Sequence, residues 1–376
     1  MINLIWWTQL RGQNYRFISE TVRVLALCWR FGLMQGRWNE TMKSTTFGAK
    51  MLTTIIFQIL LMPIIFLLIA GGLILSQRPK VLPHFQNNLD FSGIPETRSV
   101  DVPDPKKLKM RDGYMLSVRI YGEAGRGPLL ILVHGSGWHG LQFDTLARAL
   151  SDKAYVVVPD LRGHGEAPER RGDVDHIGQY EEDLADLING LRQNEEKVVV
   201  VGHSSGGGLV IRMAGGPYSD RIDRVVLLAP FLKYNAPTMR PNSGGWAHPL
   251  SRRLIGLSML NTIGIRMFNN LQVIQFAMPQ TVLDGPLGHT ATTSYTYRLN
   301  TGFSPRTNYR TDISMLPPFL FIVGRDDESF IAEEFEPVLS SASDQGSYHI
   351  VDGVGHLDIM NRPETIKLIR DFLQAQ

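Results

Sequence analysis

The chain has 376 residues, 43% of them hydrophobic and 20% charged, with a formal net charge of +2. That balance supports a large core and excludes a disordered chain or one built to coat nucleic acid. A single cysteine, Cys28, excludes an internal disulfide and a cysteine-based zinc site.

Residues 1–50 form a basic N-terminal segment. Arg11, Arg16, Arg23, Arg30, Arg37, Lys43 and Lys50 stand against only Glu20 and Glu40. Trp6 and Trp7 among these arginines also fit an interfacial helix or a targeting segment, and the sequon Asn39-Glu40-Thr41 is read as chance. From Met51 to Leu75 the run "MLTTIIFQILLMPIIFLLIAGGLIL" carries no charge. As a helix it is about 38 Å long, enough to cross a hydrocarbon core of about 30 Å. Pro63 would break a soluble helix but is tolerated in a membrane-spanning one. A core helix seldom runs this far without a polar face. A cleaved signal would lie nearer the start, unless Met42 is the true start with Lys43 and Lys50 as its basic region. Residues 51–76 are therefore expected to be a transmembrane or signal-anchor helix, making the bilayer a partner through 51–75. The distribution of Lys and Arg favours a single-pass protein whose C-terminal part is exported. Residues 77–96 are polar and contain proline, as a linker does.

From residue 97 several short runs are apolar at every position: "PLLILVHG" (128–135), "AYVVVPD" (154–160), "KVVVVGHS" (197–204), "RVVLLAP" (224–230) and "PFLFIVGRDD" (318–327). Continuous rather than alternating hydrophobicity marks strands buried on both faces of a parallel sheet. Helical stripes separate them. Ile177, Tyr180, Leu184, Leu187, Ile188 and Leu191 make one; Ile366, Ile369, Phe372 and Leu373 make another. Strand and helix in alternation predict an α/β fold with a mostly parallel, doubly wound sheet. "SVDV" (99–102) and "YMLSVRIYG" (114–122) predict an antiparallel lead-in hairpin. Residues 232–312 show no core strand and read as an inserted lid or cap. The core is thus expected over 97–231 and 313–376.

Two glycine signatures compete. Gly135-Ser136-Gly137-Trp138-His139-Gly140 has the G-x-G-x-x-G spacing after a strand, and Asp160 ends the next strand, as in dinucleotide-binding oxidoreductases. Trp138 and His139 are bulky where a pyrophosphate would approach, and the chain after Asp160 turns through "LRGHG". The second signature, Gly202-His203-Ser204-Ser205-Gly206, is G-x-S-x-G between a buried strand and a helix-forming stretch. Only centring on Ser204 puts glycine at both flanking positions, so Ser204 is the displayed hydroxyl and the Ser205 N–H is placed to face an oxyanion. A serine nucleophile needs a base, and the base needs an orienting carboxylate. Downstream, Asp326, Asp327 and Glu328 follow a strand, and His356 sits in a loop after the last strand. His134 and His203 are read as shaping turns, and Asp160, Arg162 and His164 as stabilising their loop.

On "VHGSG", "PDLRGHG", "GHSSGG", "VGRDD" and "GVGH", taken in order, the part from about residue 97 onward resembles the α/β-hydrolase fold family. It looks closest to the lysophospholipase, monoacylglycerol-lipase-like and serine-aminopeptidase-like branch. The resemblance implies a catalytic Ser204, His356 and Asp327, with Asp326 as fallback for the acid, and an oxyanion hole from the backbone N–H groups of Ser136 and Ser205. It implies no metal and no organic cofactor. Trp138 and His139 are candidate substrate-binding residues. The expected activity is serine esterase chemistry through an acyl-enzyme. A small-molecule or lipid acyl ester, such as a monoacylglycerol or lysophospholipid, is the expected substrate, with no nucleic acid involved. An aminopeptidase, amidase or thioesterase on the same fold is the nearer alternative; a dinucleotide-binding oxidoreductase is the one from another class.

Overall fold

The computed structural model describes residues 44–80, 89–91 and 102–375. Most of the basic segment and most of the expected linker lie outside the described residues. The chain divides into two compact units, Met1–Ile65 and Phe66–Gln376.

Helix α1 (Ser44–Leu75) begins in the first unit and ends in the second, and Pro63 lies within it. Its part from Ile56 to Leu75 has a mean hydropathy of 2.5, and it is long and apolar enough to cross a membrane by length and composition. Phe57, Leu60, Met62 and Ile64 are exposed. Within the second unit, Ala70 and Ile74 are buried together with Leu257, Leu260, Val273 and Tyr297.

The second unit is built on an eight-stranded sheet. Its strands are β1 (Lys106–Lys109), β2 (Met115–Tyr121), β3 (Leu129–Val133), β4 (Tyr155–Asp160), β5 (Val198–His203) and β6 (Arg224–Leu228). After an insertion carrying three more strands come β10 (Phe319–Gly324) and β11 (Gly346–Val351). The order across the sheet is β1-β2-β4-β3-β5-β6-β10-β11. β2 runs antiparallel to β1 and β4, and the remaining neighbours are parallel. Alternate residues of the all-apolar strands feed two cores. On one face Leu129, Ile131 and Val133 of β3 join Tyr180 and Leu184 of α3 (Gln179–Leu191) and Leu209 of α4 (Ser205–Ala214). On the other, Leu130 and Leu132 join Leu146 of α2 (Asp144–Leu150) and Ile369 of α6 (Pro363–Gln374). Each such side chain, once fully buried, is worth about 1.5–3 kcal/mol, so a strand without a polar position stabilises both layers at once.

One expectation needs correction, and the insertion shows more than its sequence does. The lead-in hairpin is formed by 106–109 with 115–121, Lys106 facing Val118 and Lys109 facing Met115. Val102 lies in a bend, and 99–101 are outside the described residues. The reason is chemical: β1 is "KKLK", mostly exposed, a lysine-blunted edge with no hydrophobic pattern to read. The insertion also contains strands. β7 (Ala247–Pro249), β8 (Gln272–Phe276) and β9 (Ser294–Thr296) make a separate antiparallel sheet, beside helix α5 (Ser251–Thr262). Phe276, Tyr295, Leu299, Phe303 and Ile313 all join the main core. The insertion is therefore packed into the main core rather than suspended over it.

Candidate active site

The turn between β5 and α4 carries Ser204 at φ 54° and ψ −121°. A non-glycine residue there is strained, and what enforces the strain is the closeness of strand and helix. A Cβ on Gly202 would stand 2.6 Å from the Gly206 carbonyl oxygen, and one on Gly206 would stand 2.2 Å from that of Val133. Only glycine fits either place. Backbone bonds hold the elbow: the Ser204 N–H donates to Leu228 O at 3.0 Å, and the Phe231 N–H donates to Ser204 O at 2.8 Å.

His356 comes from the loop after β11 and Asp327 from the loop after β10. His356 Nε2 lies 3.0 Å from Ser204 Oγ, and His356 Nδ1 lies 2.8 Å from Asp327 Oδ2. Asp327 is fully buried and His356 nearly so. The other carboxylate oxygen, Asp327 Oδ1, accepts the N–H groups of Ser329 at 2.8 Å and Phe330 at 2.7 Å. Those bonds fix the acid and leave Oδ2 for the ring. Asp326, the fallback acid, is exposed. Its neighbour Glu328 acts on the histidine backbone instead: Oε2 accepts the His356 N–H at 2.8 Å. Arg240 Nε donates to the Asp327 carbonyl oxygen at 2.8 Å, bracing the acid loop from the inserted region.

Ser205 opens α4, where backbone N–H groups have no partner within the helix. Ser136 follows β3, and its Oγ is 2.5 Å from Ser205 Oγ, so the two expected oxyanion residues are neighbours beside Ser204. The histidines around them are turn-formers. His134 Nε2 accepts the Leu161 N–H at 3.0 Å, which leaves Nδ1 to donate to Gly135 O at 2.8 Å. Burial pushes its pKa down to about 4, so it stays neutral. His203 Nε2 donates to His356 O at 3.0 Å, and burial holds this ring far below the usual imidazole range as well.

Residues 130–366 match the model of the alpha/beta hydrolase family. The chain belongs to that family. An uncharacterized protein of Mycobacterium bovis is 33% identical over 127 residues, covering 33% of this chain and 35% of that protein. A probable protein phosphatase methylesterase 1 of Caenorhabditis elegans is 32% identical over 152 residues, covering 34% of this chain and 41% of that one. The chain thus spans well under half the length of these curated relatives. Among solved structures, a monoacylglycerol lipase of Paleococcus ferrophilus superposes with a TM-score of 0.52 at 21% identity, covering 69% of this chain and 98% of that one. A putative aryl esterase from Burkholderia cenocepacia does so at 0.52 and 20%, covering 72% and 98%. At these identities the likeness speaks for the fold alone.

In this chain the first glycine signature serves the loop rather than a nucleotide. Asp160 is buried, paired with Arg119 at 3.0 Å, and accepts the Gly140 N–H at 2.9 Å. A Cβ on Gly137 would meet Trp246 at 2.9 Å, so a side chain fills the space a pyrophosphate would need. Of the two candidate substrate-binding residues, Trp138 borders the cavity over Ser204. His139 does not. It stacks behind Trp138 with ring centroids 5.0 Å apart, and its Nδ1 is 3.9 Å from Asp160. Burial pushes its pKa down to about 4. A bulky residue beside a glycine loop reads equally well as wall or as support, and here the support role won.

Sequence reasoning missed two parts of the cavity wall. Leu89 and Phe91, from the stretch expected to be only a linker, border it with Trp246, Met278 and Leu357. Phe91 packs on Trp246 with centroids 5.6 Å apart, and the Asp90 N–H reaches Glu328 Oε1 at 3.4 Å. No local signal could have placed them there, since the contact is tertiary. The free space above Ser204 is about 20 Å³, room for about one water.

Proposed function

We propose that this chain is a serine hydrolase that cleaves carboxylic esters through an acyl-enzyme, acting on lipid-like substrates such as monoacylglycerols or lysophospholipids. The observation that carries the reading is the unbroken hydrogen-bonded series from Ser204 through His356 to Asp327, the acid anchored by two backbone amides. Ser204 Oγ attacks the acyl carbonyl carbon as His356 Nε2 takes its proton. Asp327 keeps the other ring nitrogen protonated and stabilises the imidazolium. The N–H groups of Ser136 and Ser205 receive the oxyanion. Collapse breaks the ester bond, and His356 hands its proton to the leaving alcohol. Water, deprotonated by the same nitrogen, then attacks the acyl-enzyme and frees the acid.

The lipid-like substrate class is supported by the apolar wall of Leu89, Phe91, Trp246 and Met278. It is also supported by α1, which in this reading anchors the protein in a bilayer where amphiphilic esters concentrate. The basic character of residues 1–50 supports a cytoplasmic N-terminus with the hydrolase on the exported side. Fluorophosphonate labelling of the intact chain tests the nucleophile: labelling is expected in the wild type and absent in Ser204→Ala. Esterase turnover retained by Ser204→Ala refutes the assignment. Side-by-side assay of acyl esters, aminoacyl amides and acyl thioesters tests the substrate class, and preference for amides or thioesters overturns the ester reading.

A further inference from the structure

Helix α5 of the cap has an outer face that no part of the described residues covers. Ile255 and Ile263 are 42% and 55% exposed. They stand eight residues apart, about two turns, which places them on one side of the helix and its end. The turn beyond α5 adds Met267 and Phe268, 76% and 42% exposed. Four exposed large apolar groups on one helix and its following turn exceed the scattered exposure ordinary surfaces show.

The opposite side of α5 is packed on the end of α1. Gly256 has no Cβ because Ala70 O would lie 2.6 Å from it and Ile74 Cγ1 2.8 Å. Leu257 and Leu260 bury Ala70 and Ile74. Arg253, buried, directs its Nε to Ile74 O at 3.4 Å, satisfying a carbonyl at the helix C-terminus where no helical partner exists. The span that α1 offers by length and composition ends at Leu75, so the contact with α5, made through Ala70 and Ile74, lies in its last two turns, at the end where the helix leaves the bilayer.

Charge points the same way. Between Phe231 and Leu283 there is no Asp or Glu, while Lys233, Arg240, Arg252, Arg253 and Arg266 are present. Arg252 and Arg266 are exposed and flank the apolar stripe. An apolar stripe bordered by arginines and free of acids suits the interface of an anionic bilayer.

We infer that the cap docks on the membrane that α1 spans, with Ile255, Ile263, Met267 and Phe268 in the interface and Arg252 and Arg266 on anionic headgroups. The inference rests on the membrane-spanning reading of α1 proposed above. The docked element also supplies the cavity wall, since Trp246 and Met278 belong to the same insertion; lipid contact and cavity shape are then coupled through one piece of chain.

The test uses the full-length protein with Cys28→Ser, so that one introduced cysteine carries an environment-sensitive fluorophore. Met267→Cys reports on the cap, Leu60→Cys on α1 and Met115→Cys on an exposed site of β2. In vesicles of phosphatidylcholine and phosphatidylglycerol bearing lipid-attached nitroxide quenchers, the labels at 267 and 60 are expected to be quenched and the label at 115 not. Neutralising either arginine, Arg252→Gln or Arg266→Gln, lowers the docked-to-free ratio about fivefold. Quenching at 60 without quenching at 267 overturns cap docking and leaves the span standing. Quenching at neither site overturns the span and cap docking with it, and equal quenching at 115 exposes unspecific adsorption. A label at 267 shielded from aqueous iodide but untouched by lipid quenchers means another protein surface covers the stripe, which also overturns the proposal.

Discussion

Replacing Asp327 by Asn isolates what the carboxylate does for the histidine. The asparagine oxygen keeps the two amide donors, Ser329 and Phe330, now at 2.8 and 2.7 Å, so the loop has no reason to move. The other end changes from acceptor to donor. His356 Nδ1, 2.8 Å away, must then accept, and the ring proton shifts to Nε2. That nitrogen, 3.0 Å from Ser204 Oγ, becomes a donor to the hydroxyl and loses the lone pair that removes its proton. The expected loss in kcat is about 10⁴-fold, which is about 5.5 kcal/mol of transition-state stabilisation. Turnover of p-nitrophenyl butyrate by full-length protein in detergent measures it, and the thermal midpoint reports on folding. Asp326→Asn, at the exposed neighbour, should leave kcat unchanged. A kcat for Asp327→Asn within tenfold of wild type, with folding intact, would refute the relay.

Further outcomes follow from the elbow and from the buried imidazoles. Gly206→Ala puts a methyl 2.2 Å from Val133 O and 2.5 Å from His134 O, both backbone atoms that cannot swing aside; a loss of about 3 kcal/mol in urea unfolding is expected, and an unchanged midpoint would contradict the close approach. His134 and His139 each have a pKa pushed from 6.5 to about 4 by burial. Below pH 6.5 the unfolded chain takes up protons that the folded one refuses, so this stability is complete above 6.5 and falls as the pH drops toward 4. At pH 5 the loss is about 2 kcal/mol per histidine; stability that stays flat or rises between pH 7.5 and 5 would refute the neutral assignment.

Much of this architecture could be read from the chain because burial on two sides leaves a plain mark. The interiors of β3, β4, β5, β6 and β10 are apolar at every position, with Asp160, His203 and Arg224 only at strand ends, and the apolar residues of α3 fall on one stripe. The elbow was legible because a close strand–helix approach demands glycine at Gly202 and Gly206, which leaves Ser204 as the displayed residue. β1 was not, because an edge strand protected by lysines looks like a loop. Nor were β7 and β9, at three residues each, long enough to show a period. For the site, residue type limited the acid to three neighbours and the family resemblance chose Asp327; the fold gives the physical reason, since Asp327 is buried, Asp326 is exposed, and Glu328 holds the backbone of His356. Leu89 and Phe91 were illegible for another reason. Nothing local in a polar linker says that it will return to wall a cavity more than a hundred positions downstream.

That return has a practical meaning. Trimming the chain to a point just ahead of β1 keeps the whole eight-stranded sheet and is the obvious way to remove α1. Such a fragment would lack Leu89 and Phe91, the front door of the cavity, along with the strap that reaches Glu328 beneath His356. Substrate profiles gathered on it would then describe an opened vessel and misjudge the selectivity of the whole chain.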